Sequence, residues 1–592
     1  MRMIQNPAYG PPIRTISDTR SGTHLLPVQW EFSTSPNGDA ARHISDTCRL
    51  PLPIARLLMS RQIDTPERVR QFFEPRLNEL ADPFILTGMD KAVERLVRAM
   101  RERERVMVYG DYDVDGITST SLMYLVLNRL GAEVIYYLPN RLIEGYGLSP
   151  DGIDYAVANG VGVILTVDCG ITAVDEVEYA RAKGIEVIIS DHHQPGPELP
   201  LAVAIVNPKL IPAGTPIDDL CGVGVSFKLA QALYRALAQD EAELEEHLDL
   251  VALGTAADIV PLTGENRIVT KYGLRQIERS NKPGLKSLCF VSNLMGRSIT
   301  TGQIVFVLAP RINAVGRLGD AKTAVRLLTT RDESVATEIA HHLERENQKR
   351  KKLDEETLRE ALQQVKRNFD PDRDRAIVLA NEGWHQGVIG IVASRLVERF
   401  HVPTVMIAID GGVGKGSARS IAAFDLYDAF RECSDLVLRY GGHKYAAGMS
   451  IAQDRIPEFI ERFKRVASER LTSDDMIPNL TIDSRLDPDA LTESFMDVLE
   501  SFAPFGPQNT RPIFVTDNIQ LAGNPFVVGN NHLKFRIRRN SQLFDCIGFN
   551  MGDRAASLGS HRGPIDMVYV PERTEWDNNK RLQLRVKDFR LS

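Results

Sequence analysis

Long apolar runs are missing from this 592-residue sequence, and with them any helix of the roughly 20 residues that a bilayer requires. The N-terminus carries no apolar core of a secretory signal either. Cysteine is scarce: Cys48, Cys169, Cys221, Cys289, Cys433 and Cys546 stand far apart, with no Cys-x-x-Cys pair. That spacing is neither a disulfide framework nor a zinc site, and it suits a reducing compartment. A basic surplus is absent too. The formal charge of −7 argues against a uniform nucleic-acid coat, though a whole-chain sum conceals local basic grooves. What remains is an ordinary globular composition, 43% hydrophobic and 25% charged, in a chain long enough for three or more domains. The expected location is the cytoplasm, with no membrane association.

Acidic and histidine-rich clusters are conspicuous in the first half. They are Asp111-Tyr112-Asp113-Val114-Asp115-Gly116, Val167-Asp168-Cys169-Gly170, Asp191-His192-His193 and Ala257-Asp258-Ile259-Val260-Pro261. The first three follow apolar runs at 106–109, 163–167 and 187–189 that read as strands. In an open parallel sheet, ligands gather beyond the carboxyl ends of the strands. Carboxylates collected there repel one another unless cations neutralise them, so the pattern implies a metal site. One Asp-Gly cluster alone would be an ordinary turn; several in one order are not. Holding two cations takes five or six ligands, and Asp111, Asp113, Asp115, Asp168, His192, His193 and Asp258 are available. Imidazole among oxygen ligands favours Mn²⁺ over Mg²⁺.

The order of DYDVDG, VDCG, DHH and a later isolated Asp resembles the DHH phosphoesterase superfamily. Further matches are specific to its RecJ branch: 311–317 (RINAVGR), 387–395 (GVIGIVASR), 416–420 (GSARS) and 441–448 (GGHKYAAG). The resemblance runs from about residue 50 to the C-terminus. It implies a single-stranded-DNA-specific 5′→3′ exonuclease that releases 5′-mononucleotides with two Mn²⁺ or Mg²⁺ ions, in DNA repair and recombination. It also implies Asp168 as bridging ligand and catalytic centre, with Asp115, His192 and Asp258 on one metal and Asp113 on the other. Many relatives carry a His where this chain has Tyr109, and Asp111 is the residue at hand to replace it. His193 is assigned to the scissile phosphate or to a ligand hydrogen bond. Ser417 and Arg419 offer a hydroxyl and a guanidinium for a 5′-phosphate. Gly441, Gly442 and His443 line the same cleft, and Arg311, Asn313 and Arg317 are further substrate-binding candidates. The stretch 410–417 is superficially similar to a phosphate loop, but Ile409 replaces its first glycine and Gly416 its final hydroxyl residue. Implied partners are single-stranded DNA with a 5′ end, a single-strand-binding protein and a RecQ-type helicase, with the chain acting as a monomer. A short-oligonucleotide or cyclic-dinucleotide phosphodiesterase and a non-catalytic repair scaffold stand as alternatives.

The fold class expected is α/β: a flexible leader over 1–45, a doubly wound DHH domain over 46–320 and a connecting helix over 321–370. A DHH-associated substrate-binding domain over 371–470 and a nucleic-acid-binding domain over 471–592 complete the chain. Strands at 106–109, 133–138, 162–167 and 185–190 alternate with helices at 117–129, 150–158 and 173–183. Short alternating segments after 475 suggest a small barrel, an OB-fold by resemblance. Residues 471–530 hold nine acidic and two basic side chains, a net of −7, whereas 531–592 hold seven and twelve, a net of +5. That basic barrel, with Phe535 and Phe544, fits phosphate neutralisation plus base stacking. The same aromatics could equally form the barrel core.

Overall fold

The computed structural model describes residues 28–33, 38–141, 143–529, 531–576 and 579–592. They form two compact units. One holds Glu74–Arg350 with Phe502–Thr510; the other holds the described residues through Phe73, Lys351–Ser501 and Arg511–Ser592.

The first unit is built on five parallel strands: β1 (Arg105–Gly110), β2 (Val134–Tyr137), β3 (Val161–Val167), β4 (Glu186–Ser190) and β5 (Ala204–Val206). Their order is β2-β1-β3-β4-β5, so connectivity reverses direction at β1 and β3. Strict alternation sorts the side chains. Val106, Val108, Val163 and Leu165 face the helices Met89–Glu102, Val114–Arg129, Gly222–Ala236 and Leu248–Ala257, while Met107, Tyr109 and Ile164 face Pro150–Ala158 and Val174–Ala182. Burial on both faces is why these strands read as continuous apolar runs. The three-residue β5 is too short to stand out by periodicity, and the sequence reading misses it.

The charged stretch read as one connecting helix is two, Lys322–Thr329 and Glu333–Asn368. Asp332 starts the second by accepting the backbone N–H groups of Ser334 (2.8 Å) and Val335 (3.1 Å).

In the second unit, strands Ile377–Asn381 and Thr404–Asp410 pair in parallel. Val413–Arg419, Ala446–Ala452 and Arg439–Gly442 extend the sheet antiparallel. The C-terminal strands form a ring. Phe514–Leu521 pairs with Ile565–Trp576, that with Asn579–Leu591, and that with Gln542–Gly548; His532–Arg539 then leads back to Gln520 and Leu521. Leu533, Phe535 and Ile537 point inward while Lys534, Arg536 and Arg538 point outward. Phe535 (2% exposed) and Phe544 (6%) are therefore barrel core and do not stack on bases.

Several boundaries differ from the composition-based ones. The leader reading lies outside the described residues over 1–27 and 34–37; beyond them, strand Gln29–Phe32 pairs with Asn479–Ile482, and Gly38–Cys48 is a helix. Residues 46–73 group with the second unit, and Phe502–Thr510 with the first. Among the described residues, no helix is long and apolar enough to cross a membrane.

Candidate active site

Each acidic cluster lies just beyond a strand or helix end of the first unit. After β1 the chain turns tightly, and Gly116 makes the turn possible, since a Cβ there would come within 2.5 Å of the Asp111 carbonyl oxygen. Asp113 caps the following helix by accepting the Gly116 N–H at 3.1 Å. Asp115, in the first turn of that helix, accepts the N–H groups of Gly222 (2.6 Å) and Val223 (2.8 Å) at the start of Gly222–Ala236, where unpaired donors and the helix dipole favour an anion. Asp168 follows β3 in the left-handed region (φ 61°). Gly222 leaves it room: a Cβ there would sit 2.5 Å from the Asp168 Cβ. Asp191 follows β4 and accepts from the backbone of Ile171 (2.9 Å), His192 (2.7 Å) and His193 (3.1 Å), and from His193 Nδ1 (2.8 Å). Asp258 ends the helix Leu248–Ala257.

These elements bring the sequence-selected residues together. His192 Nε2 lies 3.1 Å from Asp168 Oδ1, 3.7 Å from Asp258 Oδ2 and 3.8 Å from Asp115 Oδ2. One ligand atom each from Asp115, His192 and Asp258 falls within 4.8 Å of the others, as do atoms of Asp111, Asp113 and Asp168, and of Asp168, His192 and His193. Asp168 is common to groups on both sides.

Electrostatics make this arrangement untenable without compensation. Burial, followed by neighbouring carboxylates, drives the Asp111, Asp168 and Asp258 carboxyls well above their ordinary range and Asp115 up to about 7. Burial and the adjacent His193 push His192 down to about 3, leaving a neutral imidazole. Among the described residues, Asp111 Oδ1, Asp168 Oδ1 and His192 Nε2 are buried and find no hydrogen-bond partner. A set of buried acceptor atoms without donors matches divalent cations, which accept lone pairs and cancel the repulsion. The residues fit two such ions.

His193 is half-exposed at its side chain. Burial opposes its protonation, but the Asp191 bond outweighs that and raises its pKa. Tyr146, which the sequence reading missed, places its hydroxyl 3.1 Å from His193 Nδ1 and 3.3 Å from the Asp168 carbonyl oxygen. Arg141 was missed as well. It stacks over Tyr112, 5.0 Å from the ring centre. A local signal existed: Tyr146 stands between Gly145 and Gly147, both at positive φ, in a loop leading from β2. With Asn313, Gly316 and Arg317, these residues line a cavity of about 270 Å³ against Asp111 and Asp113.

Arg311 is a correction. Its Nε pairs with Glu344 at 2.5 Å and its guanidinium donates to the Val307 carbonyl at 2.6 Å, inside the protein and committed to structure. Tyr109 is core as well: its hydroxyl meets Gly147 O (3.0 Å) and Ser149 Oγ (3.2 Å), facing away from the carboxylates.

In the second unit, Ser417 and Arg419 are neighbours on one strand, with an Arg419 nitrogen 3.3 Å from Ser417 Oγ and 2.8 Å from the Ala418 carbonyl oxygen. Gly390, in the helix Gln386–Phe400, lets both approach, since a Cβ there would lie 2.8 Å from Ser417 Oγ. Gly441 stands opposite Gly448, and Gly448 opposite Ser417, so the glycine motif and the hydroxyl share one row across the sheet. Gly442 (φ 136°) begins the turn that His443 closes through its N–H to Ala446 O.

Comparison with known proteins agrees with this architecture. Residues 105–255 match the DHH family, N-terminal domain; 373–469 match the DHHA1 domain; 482–588 match the RecJ OB domain. The chain is 38% identical over 571 residues to the single-stranded-DNA-specific exonuclease RecJ of Bacillus subtilis (strain 168), covering 95% of this chain and 71% of that one. To the protein of the same description from Escherichia coli (strain K12) it is 37% identical over 570 residues, covering 93% and 98%. The crystal structure of RecJ in complex with Mn²⁺ from Thermus thermophilus superposes with a TM-score of 0.82 at 30% identity, covering 95% of this chain and 79% of that chain. Its counterpart with Mg²⁺ gives 0.77 at 29%, covering 95% and 78%.

Proposed function

This chain belongs to the RecJ family of single-stranded-DNA-specific exonucleases, and on that premise we propose that it removes 5′-mononucleotides from single-stranded DNA by metal-dependent phosphodiester hydrolysis. The observation that carries the reading is Asp168, common to two groups of ligand atoms and bearing a buried oxygen that finds no hydrogen-bond partner among the described residues.

Asp115, His192 and Asp258 would hold one Mn²⁺ or Mg²⁺ ion, Asp111 and Asp113 the other, with Asp168 shared. Bound there, two such ions supply an activated water, charge neutralisation at phosphorus and a stabilised leaving oxygen. The chain's own groups do the rest. Asp191 fixes the His193 ring so that the imidazole can hydrogen-bond a phosphate oxygen. Arg141, Asn313 and Arg317 line the adjoining cavity and would orient the phosphodiester by charge-assisted bonds. Ser417 and Arg419, with Gly441, Gly442 and His443 beside them, would receive the terminal 5′-phosphate. Lys534, Arg536 and Arg538 on one outward row of the barrel would neutralise phosphates of a longer strand. A nuclease confined to single strands depends on unwinding, so a RecQ-type helicase and a single-strand-binding protein are the partners proposed, in DNA repair and recombination.

The test is digestion of 5′- and 3′-end-labelled single strands and duplexes with Mn²⁺ or Mg²⁺. Release of the 5′ label as mononucleotide from the outset, with duplex untouched, is the expected result. Initial loss of the 3′ label, or internal fragments, would overturn it.

A further inference from the structure

The carboxylates of the site are held in unequal ways. Asp115 accepts two backbone N–H groups, Asp191 three, and Asp113 one. Among the described residues, no hydrogen bond reaches the Asp258 carboxylate, which is also 23% exposed and faces His192 at 3.7 Å. Its position is therefore set by its backbone, which leaves the helix Leu248–Ala257 through Ile259 in the left-handed region (φ 62°).

That backbone is pinned from two sides. Asn266 Nδ2 donates to the Pro261 carbonyl oxygen at 3.0 Å. The Leu262 N–H donates to the Pro507 carbonyl oxygen at 2.9 Å. Pro507 belongs to Phe502–Thr510, the segment that leaves its sequence neighbours and packs in the first unit. The segment is fastened by buried groups. Arg267 donates to the carbonyl oxygens of Phe502 (2.8 Å), Ala503 (3.1 Å) and Pro504 (3.4 Å). Thr301 Oγ1 donates to Phe505 O at 2.6 Å. Asn509 Nδ2 closes the segment on itself at Phe502 O and Pro504 O, both 2.8 Å. Gly506 lies so close to Leu262 that a Cβ would come within 2.4 Å of its Cδ1.

We propose that Phe502–Thr510 is a strap that positions Asp258, with Arg267 as the positioning residue that fastens it. The inference rests on the reading of Asp258 as a metal ligand. A ligand without side-chain support tolerates little backbone drift, because metal geometry demands placement within about 0.5 Å. The strap supplies from the backbone what hydrogen bonds supply to Asp115 and Asp191.

The experiment uses the full-length chain and titrates Mn²⁺ binding directly, by the paramagnetic resonance of free Mn²⁺, in Arg267→Gln, Arg267→Lys, Thr301→Val and Asp258→Asn. Arg267→Gln should weaken one Mn²⁺ site about tenfold, as loss of a ligand's outer support generally does. Arg267→Lys should recover part of that affinity, and KM for single-stranded DNA at saturating Mn²⁺ should stay at its wild-type value. Should Arg267→Gln fail to fold, the milder Thr301→Val decides, with a smaller loss expected at the same Mn²⁺ site. If Asp258→Asn leaves Mn²⁺ binding unchanged, the ligand reading of Asp258 fails. If Asp258→Asn weakens binding while the folded strap variants bind like wild type, the strap inference is overturned.

Discussion

Replacing Asp168 with Asn should make the metal-free protein more stable and the enzyme inactive. One ligand atom of Asp168 lies within 4.8 Å of those of Asp111 and Asp113. At an effective dielectric constant near 20, two ionised carboxylates at that separation repel by about 3.5 kcal/mol. The metal-free site relieves much of this by retaining protons, so we expect a net gain of about 1–3 kcal/mol on removing the charge. Two local features favour Asn. It tolerates the left-handed backbone at position 168, and its amide can donate to His192 Nε2, 3.1 Å from the present Oδ1. Metal reverses the order. An ion at a hundredfold its dissociation constant stabilises a site by about 2.7 kcal/mol, which wild type gains and Asp168→Asn largely forfeits. Turnover should fall by at least about three decades, or ~4 kcal/mol of barrier. Urea unfolding with EDTA and with Mn²⁺, alongside the rate on a single strand, reads all three quantities. A metal-free variant less stable than wild type, an undiminished response to Mn²⁺, or more than about a tenth of wild-type turnover would refute the reasoning.

The pH dependence follows from the same site. Asp115, raised from 3.8 to about 7, keeps its proton on folding, so its contribution is full below pH 4 and is lost as pH rises through 7, on the order of 4 kcal/mol in all. His192, lowered from 6.5 to about 3, works oppositely, its contribution being lost as pH falls below 6.5. These two offset between pH 4 and 6.5, while the likewise raised Asp111, Asp168 and Asp258 add to the loss as pH rises, so the metal-free protein should go on losing stability above pH 6.5. A urea midpoint that holds steady or rises from pH 6.5 to 8 in EDTA would contradict this. Gly222→Ala should cost about a hundredfold in rate by displacing Asp168 from a distance of 2.5 Å, without altering any charge; a wild-type rate in the folded variant would show that Asp168 does not depend on that gap. Arg536→Ala with Arg538→Ala should flatten the slope of log affinity against log salt by about 1.4 on long single strands, with four-nucleotide cleavage unchanged; an unaltered slope removes that row from the DNA-binding face. Arg419→Ala should erase the preference for 5′-phosphorylated over 5′-hydroxyl strands, because two parallel charge-assisted bonds are lost. A folded variant that keeps the preference would sink the assignment.

The strap bears on how the barrel is tested. Deleting everything after residue 475 would remove Phe502–Thr510 along with the barrel, so lost activity would report on Asp258 as much as on strand binding. A deletion that isolates the barrel has to begin beyond Thr510.

What could be read from the sequence was whatever local pattern encodes. A parallel strand buried on both faces must be apolar without interruption, so four of the five strands of the first sheet were legible as runs. Carboxylates and imidazoles just past those runs announced the metal chemistry, because strand ends converge whatever the loops do. Tertiary structure decided what depends on partners distant in the chain. Arg311 and Arg317 share a helix and a motif, yet Glu344 and the Val307 carbonyl claim the first while the second lines the cavity beside Asp111. Phe535 alternates with Lys534 as either reading required, and only closure of the barrel turned the rings inward and the cations out. The side of the molecule to which Phe502–Thr510 belongs is written in no periodicity. It follows from Arg267, Thr301 and Leu262 presenting donors where that segment presents carbonyls, a complementarity that exists only once residues far apart in sequence have been brought together.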